Sequence, residues 1–151
     1  MKTLISLLLL CATISVYAQN DNPNYDAELA KKMGADAYGM KPYVLVLLKT
    51  GSNKDTVKAT MNESFRGHME NIRALVKANK LIVAGPLGSN PQAYRGIFIL
   101  DVKTIAEAKT VLATDPAIQQ KYLDADLFEW YGSAALAAYL DASDKIWKIK
   151  P

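Results

Sequence analysis

The sequence predicts an α+β fold, a layer of helices on a mainly antiparallel sheet. Three observations lead there. Strand-like apolar runs and helix-period segments follow one another as strand, helix, strand, strand, helix, strand, an order that sets helices against a sheet. The run Tyr43-Val44-Leu45-Val46-Leu47-Leu48 is unbroken, as expected of a central strand. The chain has 151 residues, less about 18 for a leader, which suits one domain.

The leader comes first. Met1 to Ala18 opens with Lys2, runs through Leu4-Ile5-Ser6-Leu7-Leu8-Leu9-Leu10 and ends on Val16-Tyr17-Ala18, the pattern of a secretory signal peptide. A membrane anchor is the alternative, but the apolar stretch is about 15 residues where a spanning helix needs about 20. The polar Gln19-Asn20-Asp21-Asn22 follows with no basic stop. Cys11 lies inside the apolar run after Leu10, which does not fit a lipoprotein signal, so the mature chain is expected to hold no cysteine. The expected location is the periplasm or the outside of the cell, with no transmembrane segment in the mature chain. Without disulfides, stability has to come from the core.

Residues 19–39 read as an N-terminal extension: a polar lead-in, then a short helix from Ala27 to Met33 capped by Asp26 and stopped by Gly34. The first strand follows and ends at Gly51-Ser52-Asn53. From Asn62 to Asn79, Phe65, Met69, Ile72 and Val76 recur at helical spacing, with Arg66, Glu70, Arg73 and Lys77 on the opposite arc. Leu81-Ile82-Val83-Ala84 is the second strand, ended by Gly85-Pro86. Tyr94 to Val102 is the third. Thr104 and Glu107 form a capping box for a second helix to about Ala113. Asp115-Pro116 then restarts it, aspartate at the cap and proline at the first helical position, and Pro116 to Leu123 is read as a helical turn or two. Leu127 to Tyr131 is the fourth strand. Ser133 can cap an alanine-rich helical segment after it. The end, Lys145-Ile146-Trp147-Lys148-Ile149-Lys150, alternates basic and apolar residues and reads as an extended edge strand or simple tail in preference to a patch for an anionic surface.

Composition excludes several functions. Half the residues are hydrophobic and 22% are charged, a globular balance. The net charge of +3, or +2 without Lys2, is too mild to argue for a nucleic-acid surface. One histidine and one cysteine leave too few ligands for a Cys/His zinc site or a multi-histidine metal centre. No Gly-rich phosphate loop or triad nucleophile motif is present, so nothing in the sequence supports a cofactor. With helices on one side only, the sheet's second apolar face is left uncovered, which predicts a homodimer.

The segments Leu81-Ile82-Val83-Ala84-Gly85-Pro86, Tyr94-Arg95-Gly96-Ile97-Phe98 and Ala113-Thr114-Asp115-Pro116-Ala117 stand in the order seen in the YCII-related (YciI-like) proteins, and His68 in the preceding helix matches too. With the first strand and Trp130-Tyr131-Gly132-Ser133, the resemblance covers residues 40–136, leaving 137–151 as a C-terminal tail. It implies a ferredoxin-like βαββαβ fold paired as a dimeric α+β barrel, here with extra N-terminal and C-terminal helical segments. It also implies a histidine–aspartate pair as the active site, falling here on His68 and Asp115.

Each candidate has a plain alternative. At about 100° per residue His68 lies roughly 40° from Ile72, so it faces the sheet; a histidine there is either a packed core residue or an acid–base group. A neighbouring carboxylate would fix its tautomer, and Asp115 is the candidate, although capping alone also explains an aspartate before Pro116. Gly85 can end a strand or let a ligand approach backbone. Arg95 can hold an anionic ligand or sit solvated at an edge. Trp130, with Tyr43 and Tyr131, can line a pocket or fill the core and dimer interface. Two functions follow: a small-molecule enzyme in which His68, oriented by Asp115, moves a proton during isomerisation, elimination or hydrolysis, or a non-catalytic dimer that binds a small ligand or assists another exported protein. An accessible cavity at the pair favours the first; a sealed histidine favours the second.

Overall fold

The computed structural model describes residues 22–149, so the leader Met1 to Ala18 lies outside the described residues. Helix α1, Ala27–Met33, has the expected ends: Asp26 accepts the Leu29 amide at 2.9 Å, and Gly34 takes the left-handed conformation, φ 70°, that closes a helix. Strand β1 spans Met40–Thr50, and helix α2 spans Lys58–Lys77. The helix starts before the expected Asn62 because Val57 stands at its N-cap without a side-chain hydrogen bond, leaving no cap residue in the sequence to mark the start. Strands β2, Leu81–Pro86, and β3, Tyr94–Leu100, follow. Helix α3, Ile105–Leu112, begins at Thr104, whose hydroxyl accepts the Glu107 amide at 3.2 Å.

Helix α4 is shorter than expected, Pro116–Gln119, and strand β4 correspondingly longer, Leu123–Ser133. Leu123, Ala125 and Leu127 alternate with Asp124 and Asp126, a period of two that pairs with β1 from Thr50↔Leu123 and Leu48↔Ala125 onward. The tail also differs from expectation. Among the described residues no fifth strand forms: a 3-10 segment, Ala134–Tyr139, leads into helix α5, Leu140–Ile146. The Tyr139 hydroxyl donates to the Ile82 carbonyl on edge strand β2, so part of that edge is engaged by a side chain. Asp141 in the first turn and Lys145 in the last suit the helix dipole.

The four strands lie in the order β2-β3-β1-β4, every neighbouring pair antiparallel. Each helical crossover therefore joins two parallel strands with a third, antiparallel one between them, which is the ferredoxin-like βαββαβ arrangement. The expected α+β architecture and central position of β1 are what the structure has. On the helix side, Val44, Val46 and Leu48 meet Phe98, Leu100, Leu81 and Leu123 under Leu75, Ala108, Leu112 and Ala117. On the other side Leu45, Leu47, Ile97 and Ile99 are only half-buried, and Phe128 is 48% exposed.

The face of α2 is rotated from the expected stripe. Met69 is exposed, Phe65, Ile72 and Val76 are half-buried, and the buried positions are Ser64, His68 and Leu75. The inward arc of α2 is shared between the sheet and the segment 114–120, and polar residues take the second share.

Candidate active site

His68 is placed by α2, and Asp115 by the cap of α4. The imidazole stacks on Phe98 of β3, with ring centroids 5.8 Å apart and planes 19° from parallel, and meets the Phe65 ring edge-on at 6.2 Å. These two rings fix its plane. Pro116 at the first helical position favours the backbone angle needed to start α4, and Asp115 caps it with Oδ1, accepting from Ala117 N at 2.9 Å and Ile118 N at 3.4 Å. Its second oxygen, Oδ2, lies 2.6 Å from His68 Nδ1. Cap and partner are thus one carboxylate using two oxygens, and the two readings of Asp115 do not compete.

A carboxylate only accepts hydrogen bonds, so Nδ1 carries the proton in the pair, and a neutral imidazole then has its lone pair on Nε2. Among the described residues Nε2 has no hydrogen-bond partner. The pair is largely buried: the imidazole side chain is 11% exposed and the Asp115 side chain 0%. Chemically, the arrangement can serve as a base at Nε2, with the orientation and tautomer of the ring set from behind by the carboxylate.

Three further contacts that the sequence did not single out bear on the pair. The Ser64 hydroxyl donates to Gln120 Oε1 at 2.7 Å, and the Thr114 hydroxyl lies 2.9 Å from Asn71 Oδ1, each tying α2 to the segment that holds Asp115. Between them Gly67 lies directly against Pro116. A glycine in the middle of a helix, beside a histidine and flanked by small polar residues at helical spacing, is the signal available in the sequence.

The remaining candidates stand apart. Gly85 is at the register position opposite Ile97, on the sheet face away from Phe98, and a Cβ there would meet nothing within 4 Å. Trp130 is on the same far face, its ring 5.5 Å from that of Tyr43 and folded over Gly132. Burial, and next the charge of Asp101, push the Tyr43 phenol up to about 12. Its hydroxyl donates to the Ser133 carbonyl at 2.7 Å. Arg95 is exposed and lines a shallow concavity of about 350 Å³ with Leu87, Asn90 and Tyr94. A second concavity of about 500 Å³ lies by Lys80, Asp101, Lys103 and Glu107. Neither includes His68 or Asp115. Among the described residues no three metal-ligating side chains come together, and no helix is long and apolar enough to cross a membrane.

No family model matches the chain, and no curated protein matches it. Among solved structures, a 5-chloro-2-hydroxyhydroquinone dehydrochlorinase from Burkholderia phenoliruptrix, in complex with 2,5-dihydroxybenzoquinone, is similar over 57% of this chain and 92% of its own, with 18% identity and a TM-score of 0.41.

Proposed function

We propose that the chain is an exported, homodimeric YciI-like protein in which His68, oriented by Asp115, transfers a proton through Nε2 during isomerisation, elimination or hydrolysis of a compact organic substrate. The observation that carries this is the 2.6 Å contact between His68 Nδ1 and Asp115 Oδ2, which leaves Nε2 without a hydrogen-bond partner among the described residues. In this reading Nε2 takes a proton from the substrate, the carboxylate behind the ring stabilises the imidazolium that forms, and the proton is returned later in the cycle. Gly85, Arg95 and Trp130, set apart from the pair, are given no part in the step.

The family assignment of residues 40–136 rests on the ordered segments around His68, Gly85-Pro86 and Asp115-Pro116. Export rests on the apolar run from Leu4 to Leu10 and its small-residue end. Pairing of two subunits is supported by Leu45, Leu47, Ile97 and Ile99, which lie on the sheet face away from the helices and outside the core. A second reading, a non-catalytic dimer that binds a small ligand or assists another exported protein, is favoured by one observation: His68 is only 8% exposed.

Native mass spectrometry of the mature chain against a metabolite library separates the two. Proton-transfer chemistry predicts a bound compound that the wild type converts and His68→Ala binds unchanged. A compound bound equally by both and converted by neither supports the second reading.

A further inference from the structure

We propose that Gly67 is a positioning residue for the His68–Asp115 pair: by lacking a Cβ it lets α2 close on Pro116 until the imidazole and the carboxylate meet. Gly67 precedes His68 in the chain and Pro116 follows Asp115, so the contact between the Gly67 backbone and the Pro116 ring stands one residue from the pair on each side. A Cβ at position 67 would lie 2.8 Å from Pro116 Cγ, 3.2 Å from its Cβ and 3.7 Å from its Cδ. Carbon atoms sit comfortably about 3.5–4.0 Å apart, so any side chain here drives the helix and the segment apart by about 1 Å. The proline ring cannot swing away as a long side chain would, because its own chain starts α4.

Such a separation is enough to break the pair. The contact between Nδ1 and Oδ2 is 2.6 Å, and an opening of about 1 Å takes it past the roughly 2.7–3.2 Å range of an N–H···O bond. The neighbouring ties show that the whole face is set for close approach. Ser64 reaches Gln120 at 2.7 Å one turn before Gly67, and Asn71 meets Thr114 at 2.9 Å one turn after His68. Positions 64, 67, 68 and 71 fall on one helix face, and each side chain on it is small, polar or absent.

Helix propensity predicts the reverse outcome for one substitution, which makes the proposal testable. Alanine is the better helix former, so Gly67→Ala should raise the melting temperature if the contact with Pro116 is of no consequence. The readout is the imidazole itself: the chain has one histidine, which gives a single ¹⁵N imidazole spin system. The outcome therefore does not depend on whether the pair is catalytic. Gly67→Ala is expected to keep the wild-type far-ultraviolet circular dichroism while losing the downfield Nδ1–H proton and the single fixed tautomer. The double variant Gly67→Ala/Pro116→Ala, which removes the nearest ring atoms, is expected to recover both. A Gly67→Ala spectrum identical to the wild type overturns the proposal. If Gly67→Ala does not fold, the double variant decides: a folded chain with the wild-type imidazole spectrum supports the proposal, and an altered spectrum or an unfolded chain overturns it.

Discussion

Replacing Asp115 with asparagine separates what its two oxygens do. In the wild type Oδ1 accepts from Ala117 N and Ile118 N, and Oδ2 faces His68 Nδ1. Asparagine has one oxygen and one NH₂, so it can satisfy only one side in the same way. With the amide nitrogen at the cap, donors face the two α4 backbone amides, and leaving the buried Ala117 amide and the part-buried Ile118 amide unsatisfied costs about 2 kcal/mol or more together. With the oxygen at the cap, those bonds survive, and the NH₂ points at Nδ1. The imidazole answers by moving its proton to Nε2, so that Nδ1 accepts. The second arrangement wins by at least about 2 kcal/mol, roughly thirtyfold. Asparagine also caps about as well as aspartate, so the remaining stability loss is the exchange of a charge-assisted hydrogen bond for a neutral one, about 1 kcal/mol. Alanine, by contrast, removes cap and partner together and should cost about 2–4 kcal/mol. The ¹⁵N spectrum of His68 and urea unfolding measure the two effects side by side. Asp115→Asn is expected to unfold near the wild-type midpoint while its neutral imidazole carries the proton on Nε2. An asparagine variant that keeps Nδ1–H refutes the reasoning, because the carboxylate would then not be what sets the tautomer.

Other expectations follow from the same structure. The Tyr43 phenol, pushed up to about 12 by burial and then by Asp101, has a folded value above its unfolded value of about 10. Its stabilising contribution is therefore whole below about pH 10 and lost as pH rises toward 12, so urea midpoints should fall across that window. Tyr43→Phe should fall less steeply, starting about 1 kcal/mol lower at neutral pH for the lost bond to Ser133, and an unchanged slope counts against the assignment. Light scattering at micromolar concentration should return a dimer for the mature chain and a folded monomer for Ile97→Asp on the uncovered sheet face; a wild-type monomer sinks the pairing. Intact mass of the exported chain should begin at Gln19, and a mass retaining Met1 to Ala18 overturns the leader.

Local signals located most of the elements. Asp26 and Gly34 bound α1 to the residue, Thr104 and Glu107 open α3, and Asp115-Pro116 opens α4. The unbroken run around Val44 identifies β1 as central. The misplaced boundaries have physical causes. Val57 offers no cap to announce α2, and the aspartates at 124 and 126 disguise the first half of β4 as loop. The tail shows the limit of alternation, since Lys145 and Ile146 finish a helix. At the site, the sequence supplied His68 and Asp115 but not their meeting, which depends on how α2 lies against the segment 114–120. That relation is tertiary: it is set by Gly67 on Pro116, Ser64 on Gln120 and Asn71 on Thr114, residues whose types mean little until the two segments are side by side. The same limit explains why cap and partner read as rivals at Asp115, where a carboxylate has an oxygen for each.

Whether His68 moves a proton is decided by turnover of a compound that the mature chain binds. Wild type and His68→Ala, matched in fold by circular dichroism, are compared for conversion of that compound. Proton transfer through Nε2 predicts conversion by the wild type that disappears in His68→Ala, with binding retained. Equal conversion by both chains contradicts it.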